Sequence, residues 1–189
     1  MLKDLVFRNR SYRRFDETAT ISRETLKELV DLARLTASAA NRQPLKYLLS
    51  WEPQKNGLIF PHLAWAGYLK DWPGPAPGER PTAYIVMLVD TEISPAAAYD
   101  LGIAGQTILL GATEKGLGGC MIASIKKEGL RESLGIAEQY DIVMVIALGK
   151  PIEKVFIEEV KTGEEIRYWR DPQGGHHVPK RSLEDIIIA

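Results

Sequence analysis

Cysteine is nearly absent from this sequence. Its 189 residues include one, Cys120, so no disulfide can form within the chain. Cys120 lies in an apolar stretch with no adjacent cation and reads as a small core residue rather than a reactive thiol. Histidine is scarce as well: only His62, His176 and His177 occur, and neither C-x-x-C nor H-E-x-x-H is present, so no metal site is expected. The adjacent pair His176-His177 reads as ordinary surface or loop residues. No G-x-S-x-G elbow supports serine-hydrolase chemistry. The phosphate loop of nucleotide triphosphatases fails because Pro151 follows Gly149-Lys150 and Met144 takes the first glycine position. A dinucleotide fingerprint begun at Gly116 meets Met121 at its third glycine and runs from helix into strand, the reverse of the required order. Neither charge sign dominates. Lys+Arg 24 against Asp+Glu 25 leaves a net charge of -1, which excludes a global field for nucleic acid. No apolar run approaches the ~20 residues that span a bilayer, so no membrane association is expected. The opening MLKDLVFRNRSYRRF has no unbroken apolar stretch and no small-residue cleavage site, which predicts a cytoplasmic, reducing setting.

What is present describes a globular protein, 45% hydrophobic and 26% charged, long enough for a single domain over residues 1–189. Ser22 is a candidate N-cap, with Ile21 and Leu26 as a hydrophobic staple. Leu26, Leu29, Val30, Ala33 and Ala37 continue one apolar helical face until the Ser38–Asn41 breakers ahead of Pro44. Strands are expected at 45–51, 84–89, 120–125 and 142–148, with a short helix at 126–134. Residues 71–81 hold four of the eleven prolines and read as a surface loop near a site or partner. A long helix is expected from Ser94-Pro95 to about Lys115. Bulky and small residues (Gly102, Ala104, Gly105, Gly111, Ala112) alternate around it, so it should be buried on every side. In so short a chain that predicts a homodimer with this helix at or near the interface. The last forty residues show little helical periodicity, and are expected either to embrace a partner as an extended tail or to form an edge strand on their own sheet.

Three polar clusters stand out. Arg10-Ser11-Tyr12-Arg13-Arg14 packs three guanidinium groups and a serine hydroxyl into five residues, a donor set suited to phosphate or a solvated basic turn. Ser38, Asn41 and Gln43 gather a hydroxyl and two carboxamides at a helix end. They complement a heteroaromatic edge bearing N–H and C=O groups, or simply cap a loop. Val178-Pro179-Lys180-Arg181 is a stiff basic pair near the C-terminus.

Together these segments resemble the FMN-dependent nitroreductase family. Arg10-Ser11-Tyr12-Arg13-Arg14-Phe15 is similar to that family's opening R-S-x-R-x-F. Ser38-Ala-Ala-Asn41-Arg-Gln43-Pro44, the helix Asp100–Gln106 leading to Gly116-Leu117-Gly118, the strand end Ala147–Pro151 and the closing Pro179–Glu184 fit in order and spacing. Leu45 departs from the aromatic that many members carry, and the substrate-cover region, 53–81, is short and proline-rich.

The resemblance implies an α+β fold, a mixed central sheet flanked by helices, with FMN at a dimer interface. Arg10 and Ser11 with Lys180 or Arg181 would hold the phosphate and ribityl chain, the basic residues of both ends converging on one phosphate. Arg13 would lie at the pyrimidine edge, where a cation favours the reduced, anionic flavin. Ser38, Asn41 and Gln43 would bond the ring edge or ribityl hydroxyls, and backbone around Met121–Ser124, including Ile122 and Ala123, would line the other side. NADH or NADPH would deliver hydride to flavin N5, and a nitroaromatic, quinone or similar electron-poor acceptor would then collect it, with no protein residue acting as catalytic acid or base. A flavin-fragmenting or dehalogenating enzyme of the same fold and a non-enzymatic flavin-binding protein are the alternatives.

Overall fold

A computed structural model describes residues 1–188. Its centre is strand β3 (Ala83–Asp90), in which all eight residues are buried. Such a strand must be covered on both faces and paired on both edges. Antiparallel partners supply the edges: β2 (Leu45–Ser50) on one side and β5 (Tyr140–Pro151) on the other. The far edge of β5 is shared by β4 (Gly118–Ile122) and, beyond it, the two-residue β1 (Phe15–Asp16), both antiparallel.

Helices cover the two faces, and the parity of β3 sorts its side chains between them. Ala83, Ile85 and Met87 join the core built with α2 (Arg23–Arg34) and α4 (Ala98–Glu114). Tyr84, Val86 and Leu88 join the core beneath α3 (Pro53–Ile59) and α5 (Lys127–Leu134). The β3–β5 register slips between Met87 and Leu88, leaving Val143 as the extra residue of a bulge. Met144 and Val143 consequently both pack on the α2/α4 side. Cys120 is fully buried, and burial pushes its thiol pKa up to about 12, as suits an inert core residue. No helix is long and apolar enough to cross a membrane among the described residues.

The mixed, helix-flanked α+β architecture agrees with expectation, as does the Ser22 cap, whose hydroxyl accepts from Thr25 N at 3.1 Å. Several boundaries differ. Helix α2 ends at Arg34, before Ala37, because Thr36 turns its amide and hydroxyl back onto Ala33 O. Helix α4 begins at Ala98, since Ser94 and Pro95 belong to a preceding turn tied to Asp90. Helices α1 (Leu2–Arg8) and α3 arise where no helix was expected.

Helix α4 is not enclosed by its own chain. Tyr99, Gly102, Ile103 and Gln106, spaced i, i+3, i+4, i+7, form an exposed stripe, with Tyr99 81% and Ile103 42% accessible. Two of its small residues serve contacts within the chain. A Cβ on Gly111 would lie 2.6 Å from Leu32 Cδ1 of α2, and one on Gly105 would lie 3.1 Å from Met121 Cε. Gly102 has open space around it.

Residues beyond β5 build a second sheet rather than adding an edge to the first. β6 (Val155–Val160) runs parallel to β8 (His176–Arg181), and β7 (Trp169–Arg170) pairs antiparallel with the start of β8. A short helix, α6 (Leu183–Ile186), follows. His176 and His177 therefore lie in a strand, not on an open surface or loop, and His176 is only 1% exposed.

Candidate functional site

The segment Arg10–Arg14 is held along the edge of β4. Ser11 bridges Gly119 in parallel, and Tyr12 N donates to Gly119 O at 3.0 Å. Glycine at 118 is required for this, because a Cβ there would lie 2.5 Å from both Tyr12 Cδ2 and Pro151 Cγ. Once pinned, the segment directs its cations differently. Arg14 turns away and pairs with Glu79 through Nε at 2.8 Å and through Nη2. Arg10 Nη2 donates to Val6 O, satisfying a carbonyl at the end of α1, while its Nε is buried with no partner. Arg13 Nη1 donates to Ser11 O at 3.2 Å and to His176 Nε2 at 3.3 Å, with its guanidinium 5.0 Å from the centre of the Tyr168 ring.

Strand parity completes the arrangement. His176, Val178 and Lys180, at alternate positions of β8, face the same cleft, and His177 and Arg181 point to the other side. The cleft holds about 580 Å³ and is lined by Arg10, Ser11, Arg13 and Lys180 together with Tyr168, His176, Met121 and Leu109. Among the described residues three cations line it and no carboxylate does. His176 does not add a fourth charge. Burial, then the nearby Arg13, Arg170 and His177, push its pKa down to about 4, so it is neutral at ordinary pH. Burial also presses the Arg10 pKa below its ordinary value. An unpartnered buried guanidinium nitrogen among cations with no lining carboxylate fits a bound anion such as a phosphate monoester.

The second cluster lies elsewhere. Ser38 donates to Asp100 Oδ2 and accepts from Gln43 N at 2.9 Å, and Ala39 N donates to Asp100 Oδ1 at 3.0 Å. The Asp100 carboxylate, buried in the first turn of α4, thus fastens a loop in which Ala40, Asn41 and Gln43 all have positive φ. Such backbone carries strain for side chains other than glycine and is maintained by surrounding contacts. Asn41 is exposed, and Gln43 Nε2 donates to its carbonyl and to its Oδ1, each at 3.2 Å. Ser38 and Gln43 line a small recess with Asp100 and Tyr47.

The structure thus brings together Arg10, Ser11, Arg13 and Lys180. It separates them from Ser38, Asn41 and Gln43, and it excludes Arg14 and Arg181 from the convergence of both ends. Of the pair at the end of β4, Ile122 is in the core beneath α3 and α5, while Ala123, just past the strand, lines an apolar hollow of about 610 Å³ with Ala39, Arg42 and Lys127. Met121 is the residue of this stretch that reaches the cation cleft. Sequence reasoning also passed over Tyr168 and His176, both of which line the cleft. The β8 sequence, His-His-Val-Pro-Lys-Arg, alternates neither polar with apolar nor charge with neutral, so nothing local marked it as a strand.

A sequence model of the Nitroreductase family matches residues 6–66 and 69–150, well over half the chain. The chain belongs to the nitroreductase family. No curated protein matches it. Among solved structures, a nitroreductase family protein from Clostridium novyi NT is 24% identical with a TM-score of 0.66, covering 80% of this chain and 86% of that one. The nitroreductase family protein from Streptococcus pneumoniae TIGR4 is 15% identical, with a TM-score of 0.71 over 100% of each chain. A nitroreductase from Exiguobacterium sibiricum 255-15, solved in complex with FMN, is 18% identical with a TM-score of 0.66, covering 80% of this chain and 89% of that one.

Proposed function

We propose that this nitroreductase family member is an FMN-dependent oxidoreductase that uses NADH or NADPH to reduce nitroaromatics, quinones or similar electron-poor acceptors. The observation that carries the reading is the cleft in which Arg10, Arg13 and Lys180 converge without a carboxylate. The Exiguobacterium relative bound to FMN supports assigning the anion to that cofactor's phosphate. FMN, when bound, supplies the two-electron chemistry, taking hydride from the nicotinamide and passing it to the acceptor.

The chain's own residues bind and orient. Arg10 and Lys180 would hold the phosphate, the Ser11 hydroxyl would serve the ribityl end, and Met121 and Leu109 give the cleft an apolar wall. Arg13, held by Ser11 O and His176, would supply a fixed cation that favours negative charge developing on the flavin during reduction. No side chain is assigned as a proton donor.

A homodimer completes the site in this proposal. The exposed stripe Tyr99–Gly102–Ile103–Gln106 lies between the two clusters, since Asp100 anchors the 38–43 loop near one end of α4 and Gln106 and Leu109 line the cleft farther along. Two copies of α4 packed about a two-fold axis perpendicular to the helix would run antiparallel, and the loop of one copy would then meet the cation cleft of the other. Ser38, Asn41 and Gln43 then reach a flavin held by the partner. The exposed apolar residues of α1 and of the C-terminal end, Leu2, Phe7, Leu183, Ile186 and Ile187, fit a tail that lies across a second subunit.

The test is to reconstitute the purified protein with FMN and titrate it anaerobically with NADH and, separately, NADPH. A bound-flavin spectrum that bleaches with at least one donor is the expected result. Absence of bound flavin after reconstitution refutes the reading, and bound flavin that neither donor bleaches refutes the enzymatic part of it.

A further inference from the structure

Glu153 is the most enclosed carboxylate near the cation cleft, yet it does not line it. Its side chain is 0% exposed. It follows the turn out of β5, where Ile152 N donates to Arg14 O at 3.1 Å. One carboxylate oxygen, Oε1, accepts from the backbone N–H of Arg13 and, at 3.2 Å, from that of Arg14. The other, Oε2, accepts from Arg170 Nη2 at 3.0 Å. Arg170 belongs to β7, pairs in register with His176 of β8, and lies with its guanidinium 4.6 Å from the centre of the Trp72 ring.

The chemistry of this arrangement is specific. A buried carboxylate needs a countercharge and filled acceptor sites. Glu153 takes its countercharge from Arg170, outside the cleft, and fills its other oxygen with main-chain donors. It therefore fixes the backbone of Arg13 without forming an ion pair with the Arg13 guanidinium. Among the described residues, no salt bridge reaches Arg10, Arg13 or Lys180. The same carboxylate ties the N-terminal half of the cleft to the sheet that carries His176 and Lys180.

We propose that Glu153 is a positioning residue. With Arg170, it sets the spacing between Arg10–Arg13 and Lys180 and so gives the site its selectivity for a phosphorylated flavin over an unphosphorylated one. This rests on the flavin reading above. A carboxylate placed among the cations would hold the same segments while cancelling the charge that an anion needs. Tying through the backbone keeps the cations free.

The experiment measures dissociation constants of FMN and riboflavin by quenching of flavin fluorescence, with circular dichroism to verify folding, in the wild-type protein, Glu153→Ala and Glu153→Gln. Riboflavin lacks the phosphate, so it reports the rest of the site. Glu153→Ala is expected to weaken FMN about tenfold or more while riboflavin changes less than about threefold. Glu153→Gln, which keeps an acceptor for the two backbone N–H groups, is expected to retain part of the FMN preference. Equal weakening of both flavins marks a general structural role and overturns the proposal, as does an unchanged FMN constant. If Glu153→Ala does not fold, Arg170→Met releases the carboxylate from the other side, and the same loss of FMN preference is required. A wild-type protein that binds neither flavin overturns the flavin reading itself, whereas wild-type FMN binding with an unmoved preference in every variant overturns only the role of Glu153.

Discussion

Arg13 and Arg14 adjoin in sequence, yet Arg13 turns into the cleft beside Ser11 and His176 while Arg14 is spent on Glu79. The same division separates Lys180, which faces the cleft, from Arg181, which lies on the opposite face of β8. Charge at these positions was legible in the sequence, but direction was not. A two-residue spacing can be read from a strand only once the strand is known, and β8 shows no helical or strongly apolar pattern. Arg14 had no visible reason to leave its neighbours, because Glu79 is 65 residues away in a proline-rich loop. Placement makes the arginines and lysine testable one by one. Arg10→Ala and Lys180→Ala are each expected to weaken FMN binding about 10- to 100-fold, the weight of one hydrogen bond to a charged group. Arg181→Ala should leave it within about threefold, since that side chain does not enter the cleft. Fluorescence titration of the three variants checks the ranking, and equal losses for Lys180→Ala and Arg181→Ala would contradict the parity argument.

Elements built from local signals were readable, and those built from distant partners were not. The Ser22 cap announced α2, and the unbroken apolar run from Ala83 to Val89 announced the central strand. The C-terminal sheet had no such signature, because its order comes from long-range polar pairs. His177 shows how it is closed. The imidazole is stacked on Trp169 with ring centres 4.0 Å apart and faces Glu158 through Nδ1 and Asp171 through Nε2. A neutral ring can donate to only one of those carboxylates, so both bonds are made only by the protonated form. Asp171 first, then Glu158, raise the His177 pKa above its ordinary value. A raised pKa in the folded state means the added stability is complete below the unfolded value of about 6.5 and is lost as pH climbs through the folded one. The urea midpoint of the wild-type protein is therefore expected to fall from pH 6 to pH 9, with part of that fall absent in His177→Phe. Identical pH profiles for the two proteins would show that the His177 clamp does not operate.

At the scale of the whole molecule, one chain exposes 11027 Å². A compact monomer of its mass, 21.1 kDa, exposes roughly 9,000 Å². The excess goes with the open face of α4 and the exposed apolar residues of α1 and α6, surface that the proposed second subunit would cover. The mixture of bulk and small residues in α4 predicted contacts on every side. The structure assigns Gly111 and Gly105 to neighbours within the chain and leaves the Tyr99–Gln106 stripe exposed, the face on which the proposed dimer would form. Ile103→Glu, which puts a charge on that stripe, is expected to yield a folded monomer by light scattering that no longer retains FMN. A dimer of unchanged mass would move the interface elsewhere. Whether one flavin lies between two copies is tested most directly by complementation. Arg10→Ala damages only the cation cleft, and the double variant Asn41→Ala, Gln43→Ala damages only the loop. In randomly reassorted dimers of the two, about a quarter of the sites combine an intact cleft from one copy with an intact loop from the other. Recovery of tight FMN binding in that fraction is the predicted result. No recovery, with mixed dimers demonstrably formed, would contradict a site shared between subunits.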